Sequence, residues 1–159
     1  MKFNTPEEYA NYAEQLFYQG FNCSQCLLLT FSDFTNIDDE LAAMISSPFG
    51  GGMGRLREVC GAVSGMFMVL GILEGYSKVE ENHKKAELYE KVQNLATTFK
   101  DNNGSIICRD LLGLKDLKDG KDSPIPEART KEYYESRPCP KKIANGAYIL
   151  ADYLLNKEM

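Results

Sequence analysis

Apolar positions recur at three- and four-residue spacing along most of the chain, and strict two-residue alternation is absent, so the pattern predicts helices. "TPEE" opens the first, with Thr5 as N-cap, Pro6 at the first helical position and Glu8 closing a capping box. Tyr9, Ala13, Leu16 and Phe17 then share one face, and Gly20 ends it. A second helix is expected from about Asn22 through the crowded "CLLLTF" to Phe34, and a third from Asp38 to Ser46, where Ser47 and Pro48 stop it. The glycine-rich "PFGGGMGRLREVC" leads into an apolar helix from about Glu58 to Gly75. "SKVE" has the form of another capping box, for a long helix with a stripe of Val79, Ala86, Tyr89, Val92, Ala96 and Phe99 that "DNNG" closes. Ser105 is the expected cap of a short helix, "IICRDLLG", ending at Gly113. Lys115 to Pro126 reads as loop, and "CPKKIANGAYILADYLLNK" as the last helix.

With no strand signal, repeat or low-complexity tract, the expected fold is all-α, a compact single-domain bundle of about six to eight helices over residues 1–159. A chain of 159 residues with 43% hydrophobic content can bury a core without disulfide staples. Charge narrows the partners: 18 Lys and Arg are scattered among 23 acids for a net −5, which leaves no basic patch for nucleic acid. "MKFNTPEEYA" lacks the apolar run of a secretory leader, so a cytoplasmic location is expected. Gly61 to Leu73 is uncharged but falls short of the roughly 20 residues that span a bilayer, which predicts a buried helix and no membrane insertion.

Five cysteines in a reducing compartment point to metal binding, redox chemistry or inert burial rather than a disulfide framework. Four of them fall at expected helix starts: Cys23 after Asn22, Cys60 after the glycine loop, Cys108 three past Ser105, and Cys139 beside Pro140. Unpaired N–H groups and the positive dipole end stabilise a thiolate there, and thiolates both ligate metals and attack disulfides. Cys26 lies a turn further on, on the same side as Cys23. No strand precedes this CxxC, which disfavours a thioredoxin arrangement, and Leu27 in place of a histidine excludes haem attachment. Paired CxxC zinc spacing and a dense ferredoxin run are also absent, although Cys139–Pro140 has the form of the cysteine-proline that ends such runs.

Around these cysteines, Gly61, Ala62, Ser64 and Gly65 give a helix face almost free of side chains, suited to another backbone or to a cluster or ligand beside Cys60. Gly51 and Gly52, with Arg55 or Arg57, could cradle an anion or serve as a flexible connection; the Lys and Ser or Thr of a Walker loop are missing. His83, the only histidine, sits in polar "EENHKK" and reads as a partly exposed helical residue rather than a ligand.

"FNCSQ", then "CGAVSG" after a glycine-rich loop, then Cys108 before "LLG", then Cys139 with Pro140, resembles the redox-active bacterial and archaeal family named for its C, GCAxxG, C, C pattern. The resemblance runs from about residue 6 to 155. It implies that Cys23, Cys60, Cys108 and Cys139 are the characteristic cysteines and Gly61, Ala62 and Gly65 the small-residue motif. Cys26 departs from the family, where that position is commonly a small apolar residue. A related domain in split-Soret cytochrome c, a dimeric haem protein described with an iron–sulfur centre, makes a cluster the implied cofactor.

Three readings follow. The first is a redox protein in which Cys23, Cys60, Cys108 and Cys139 bind zinc or an iron–sulfur centre for electron transfer to a redox partner protein. The second is a metal-free thiol–disulfide oxidoreductase, with Cys23 the low-pKa attacking thiol and Cys26 or another cysteine resolving. The third is a non-catalytic module whose glycine loop holds an anion. The aromatic, Leu-rich "AYILADYLL" offers a face for a homodimer or for packing within the chain.

Overall fold

A computed structural model describes residues 1–157. Helix α1 spans Pro6–Tyr18, and its capping box forms as expected, with Thr5 accepting from the Glu8 amide and Glu8 reaching back to the N-cap. Gly20, at φ +106°, turns the chain toward α2, Cys23–Thr30. A second capping box starts α2: the Asn22 side chain accepts from the Gln25 amide while Gln25 accepts from that of Asn22. The helix expected to run to Phe34 breaks at Phe31, where φ −99° and ψ 20° leave the helical well, and resumes as the single turn α3, Ser32–Thr35. The buried Phe31 ring stacks on Tyr9 of α1 at 5.1 Å, so tertiary packing sets the break.

Asp38 caps α4, Asp39–Ser46, as its sequence indicates. A 3-10 turn, Ser47–Phe49, and the single turn α5, Gly50–Met53, then lead to α6, Gly61–Glu74, which starts three residues later than expected with Cys60 as its N-cap. The long α7 covers Asn82–Asn103. The "SKVE" box does not form, and Val79 lies outside the helix at 92% exposure. The inward stripe is Leu88, Val92, Leu95 and Phe99; of the expected stripe Val92 and Phe99 take part, whereas Ala86 and Tyr89 are exposed. His83 is exposed on its first turn.

Helix α8 is the single turn Cys108–Leu111. Ser105 does not cap it directly; its hydroxyl accepts from the Ile107 amide and donates to Asp110. Residues 115–126 form loop apart from the 3-10 turn Lys118–Gly120. Helix α9, Lys131–Ser136, was not expected; Thr130 caps it, and Tyr133 and Tyr134 hold it to Phe17 of α1. The last helix, α10, is Cys139–Asn156.

The core lies where α1 packs along α10 and α2 along α6, with α10 also touching α2, α6 and α7. Ala147, Ile149, Leu150, Ala151 and Leu154 of "AYILADYLL" are buried within the chain. Among the described residues there is no strand; the only ladder-type pairing is the isolated antiparallel bridge between Val59 and Ile107. No helix among them is long and apolar enough to cross a membrane.

Candidate functional site

Each of the four family-type cysteines stands at a helix start. Cys23, Cys108 and Cys139 are the first residues of α2, α8 and α10, and Cys60 is the N-cap of α6. All four line one small cavity with Gly52, Gly61, Leu111, Leu112, Pro138 and Lys142. The Val59–Ile107 bridge explains how two of them meet. Cys60 donates its amide to Ile106 at 2.8 Å and Cys108 donates to Glu58 at 2.6 Å. The two cysteines therefore follow the bridged pair on the same side of the ribbon, a diagonal placement within reach of side chains.

Glycines bring the remaining elements close. A Cβ on Gly61 would come within 2.8 Å of the Cys23 Cβ, and one on Gly52 within 2.5 Å of the Cys108 Cβ. Gly65 faces Leu27 of α2, where a Cβ would lie 2.5 Å from the leucine Cβ, and Ala62 packs against Gly146 of α10. The small-residue face thus admits the backbones of α2 and α10, and of that face Gly61 also borders the cavity.

The glycine-rich connection is a run of left-handed turns. Gly51, Gly52, Met53, Gly54, Arg55 and Arg57 all hold φ between 59° and 70°. For the three non-glycine residues this costs on the order of 1 kcal/mol each. Glu58 donating its amide to Gly52, and Asp122 donating to Arg55, hold the run in place. One outcome is that the Arg57 side chain turns inward to 4% exposure, with Nη1 3.6 Å from the Cys108 sulfur and Nη2 2.9 Å from Asp122. Gly51 and Arg55 line an adjoining cavity with Arg129 and Arg137.

The thiols differ in character. The neighbouring Cys23 thiol brings Cys139 down to about 7 against the burial that opposes it; Arg137, Arg57 and Arg129 add positive charge. The same pairing, with burial, holds Cys23 well above the usual thiol value. Burial pushes Cys60 up to about 12 and raises Cys108, the latter opposed by Arg57. Both Cys23 and Cys139 keep part of their surface open to solvent. Cys26 is fully buried, pushed up to about 12 by desolvation, with its thiol toward the Phe21 carbonyl at 3.8 Å, and it is not among the residues lining the cavity.

Of the expected dithiol, with Cys23 attacking and Cys26 or another cysteine resolving, Cys23 lines the cavity and Cys26 does not, and the thiol held below its usual value is that of Cys139 while that of Cys23 is raised. Sequence reasoning also passed over Arg129 and Arg137. Arg137 stands two residues before Cys139 in "RPCP", a local signal, whereas Arg129 is held in place by donating to the Phe17 and Phe21 carbonyls, remote in sequence.

In donor chemistry the cavity suits a soft metal, since its lining holds four thiols and neither carboxylate nor imidazole. Its volume of about 20 Å³ is room for roughly one water, so an ion fits in size and a cluster requires the walls to move. As the side chains stand, no three Cys, His, Asp or Glu among the described residues are gathered closely enough to hold a metal ion.

The family model described as "Putative redox-active protein (C_GCAxxG_C_C)" matches residues 21–153, a stretch that contains all five cysteines. No curated protein and no solved structure matches the chain.

Proposed function

Because the chain belongs to the redox-active family defined by this four-cysteine pattern, we propose that it works as a thiol–disulfide redox protein through the Cys23–Cys139 pair. The observation that carries the reading is that these two cysteines, at the starts of α2 and α10, line one small cavity and are the two of its four cysteines that are not fully buried. Cys139 as thiolate attacks one sulfur of a disulfide, RS–SR′, and releases RS⁻. The Cys23 thiol then loses its proton and attacks the Cys139 sulfur, which closes the Cys23–Cys139 disulfide and releases R′S⁻. Two electrons pass from the protein to the substrate, and the proton lost by Cys23, with the one Cys139 gave to water on forming its thiolate, protonates the two departing thiolates. A redox partner protein, reached through the open side of the pair, restores the dithiol.

Peptide mapping after oxidation of the reduced protein by hydroxyethyl disulfide tests the reading. A Cys23–Cys139 cross-link is expected; a Cys23–Cys26 link, or no intramolecular link, overturns it.

A second reading has its own support in the four thiols that line the cavity without a carboxylate or histidine. Cys23, Cys60, Cys108 and Cys139 would hold zinc or an iron–sulfur centre, the latter supplying one-electron transfer. Metal and acid-labile sulfide analysis after anaerobic purification decides it. One centre per chain that shields these four cysteines from alkylation, leaving Cys26 to react only on unfolding, would displace the dithiol reading.

A further inference from the structure

Beside the thiol cavity lies a second cavity of about 160 Å³. Arg55, Arg57, Arg129 and Arg137 line it. The acids that oppose them are Asp122, paired with Arg55 and Arg57, and Glu127, paired with Arg137. Four guanidinium groups against two carboxylates leave two positive charges in excess, and the side chains of Arg55, Arg57 and Arg137 are only 16%, 5% and 14% exposed. Removing unmatched charge from water is costly unless a counter-charge joins it.

The guanidinium groups are also held in place. Arg129 stacks over Phe17 with its carbon 4.3 Å from the ring centre, and donates to the Phe17 and Phe21 carbonyls at 3.2 and 3.3 Å. Arg137 lies 4.9 Å from the centre of the Tyr133 ring. Such fixed, planar donors match carboxylate and phosphate groups, and little side-chain freedom remains to be lost on binding.

The two cavities share a wall. Gly51 and Arg137 line the arginine side, and their neighbours Gly52, Pro138 and Cys139 line the thiol side. Arg57 spans the wall, since it lines the arginine cavity and approaches the Cys108 sulfur.

We propose that the arginine-lined pocket binds the carboxylate or phosphate group of a small anionic disulfide that oxidises the Cys23–Cys139 pair. This rests on the dithiol reading for the reaction, but binding of the anion does not depend on it. The pocket positions and selects the substrate; Cys139 does the chemistry.

The first test is thermal melting of the reduced protein with inorganic phosphate and, separately, succinate. A saturable rise in Tm with either anion, beyond that given by equal ionic strength of chloride, is expected in the wild type and lost in Arg55→Gln and Arg137→Gln. Whichever anion acts identifies the group. The second test compares oxidation of the thiols by dithiodiglycolate, which is anionic, and by cystamine, which is cationic. The anionic disulfide should react faster by about tenfold or more at low salt, with the preference suppressed by the bound anion and reduced in both variants. Absence of saturable anion binding in the wild type overturns the proposal, and so does an equal rate for the two disulfides. Should either variant fail to fold by circular dichroism, anion competition in the wild type still decides. Anion binding in a chain whose Cys23 and Cys139 never cross-link would sink the dithiol reading alone.

Discussion

At the level of single residues, the chemistry depends on which sulfur carries the proton. With Cys139 at about 7 against an ordinary thiol near 9, its alkylation rate should rise to half its plateau near pH 7, and that of Cys60 only far above. Because the Cys23 thiol is the largest cause of the lowering, Cys23→Ala should move the Cys139 midpoint upward. Iodoacetamide kinetics with peptide-resolved mass spectrometry check both statements, and a Cys139 midpoint unmoved by Cys23→Ala would refute the assignment. The glycine beside Cys108 is a second residue-scale case. Gly52→Ala would place a Cβ 2.5 Å from the Cys108 Cβ at φ +67°, so a loss of about 2 kcal/mol in urea unfolding is expected. The sequence showed that these cysteines stand at helix starts, because caps and glycines are local signals. It did not show their order of acidity, which is set first by the meeting of Cys23 with Cys139 and by burial, and then by Arg57 and Arg129 from segments that meet only in the fold, beside the neighbouring Arg137.

Among helices, local signals succeeded where the chain supplies its own cap and failed where packing decides. The boxes at Thr5–Glu8 and Asn22–Gln25 both form, but the "SKVE" box does not, and α7 takes its register from the neighbours of Leu95 and Phe99 instead. Helix α9 escaped notice because six residues carry too little periodicity, and its two tyrosines gain their meaning from Phe17 and Tyr18. The two working caps allow a controlled comparison. Thr5→Ala and Asn22→Ala should each cost about 1 kcal/mol. Only Asn22→Ala should disturb the site, because the Asn22 side-chain Nδ2 also donates to the Ser47 carbonyl at 3.0 Å and ties the start of α2 to the turn before the glycine run. Matched loss of stability by urea unfolding, with altered Cys139 alkylation confined to Asn22→Ala, is the expected result.

For the molecule as a whole, the two sulfurs of the proposed pair belong to helices at opposite ends of the sequence. Cys23 begins α2, which packs on α6, and Cys139 begins α10, which packs along α1. A bond between them would close a loop of roughly 100 residues, for which the lost chain entropy of the unfolded state amounts to about 4–5 kcal/mol. Both cysteines line one small cavity, so much of that gain should survive in the folded protein if the bond closes without moving α2 or α10. The oxidised protein should therefore melt well above the reduced form. Cys23→Ala should abolish the difference, while Cys26→Ala should leave it, since Cys26 is buried away from the pair. The linkage runs both ways: stability gained on oxidation makes the disulfide correspondingly harder to reduce while the protein is folded. A partner that regenerates the dithiol must then be a strong reductant or must first loosen α10 from the cavity. Calorimetry of both forms and redox titration of the pair in the folded and the unfolded chain should accordingly give the same free energy; strain from the bond would shrink both together, and an oxidised form that melts no higher than the reduced one would refute the expected gain.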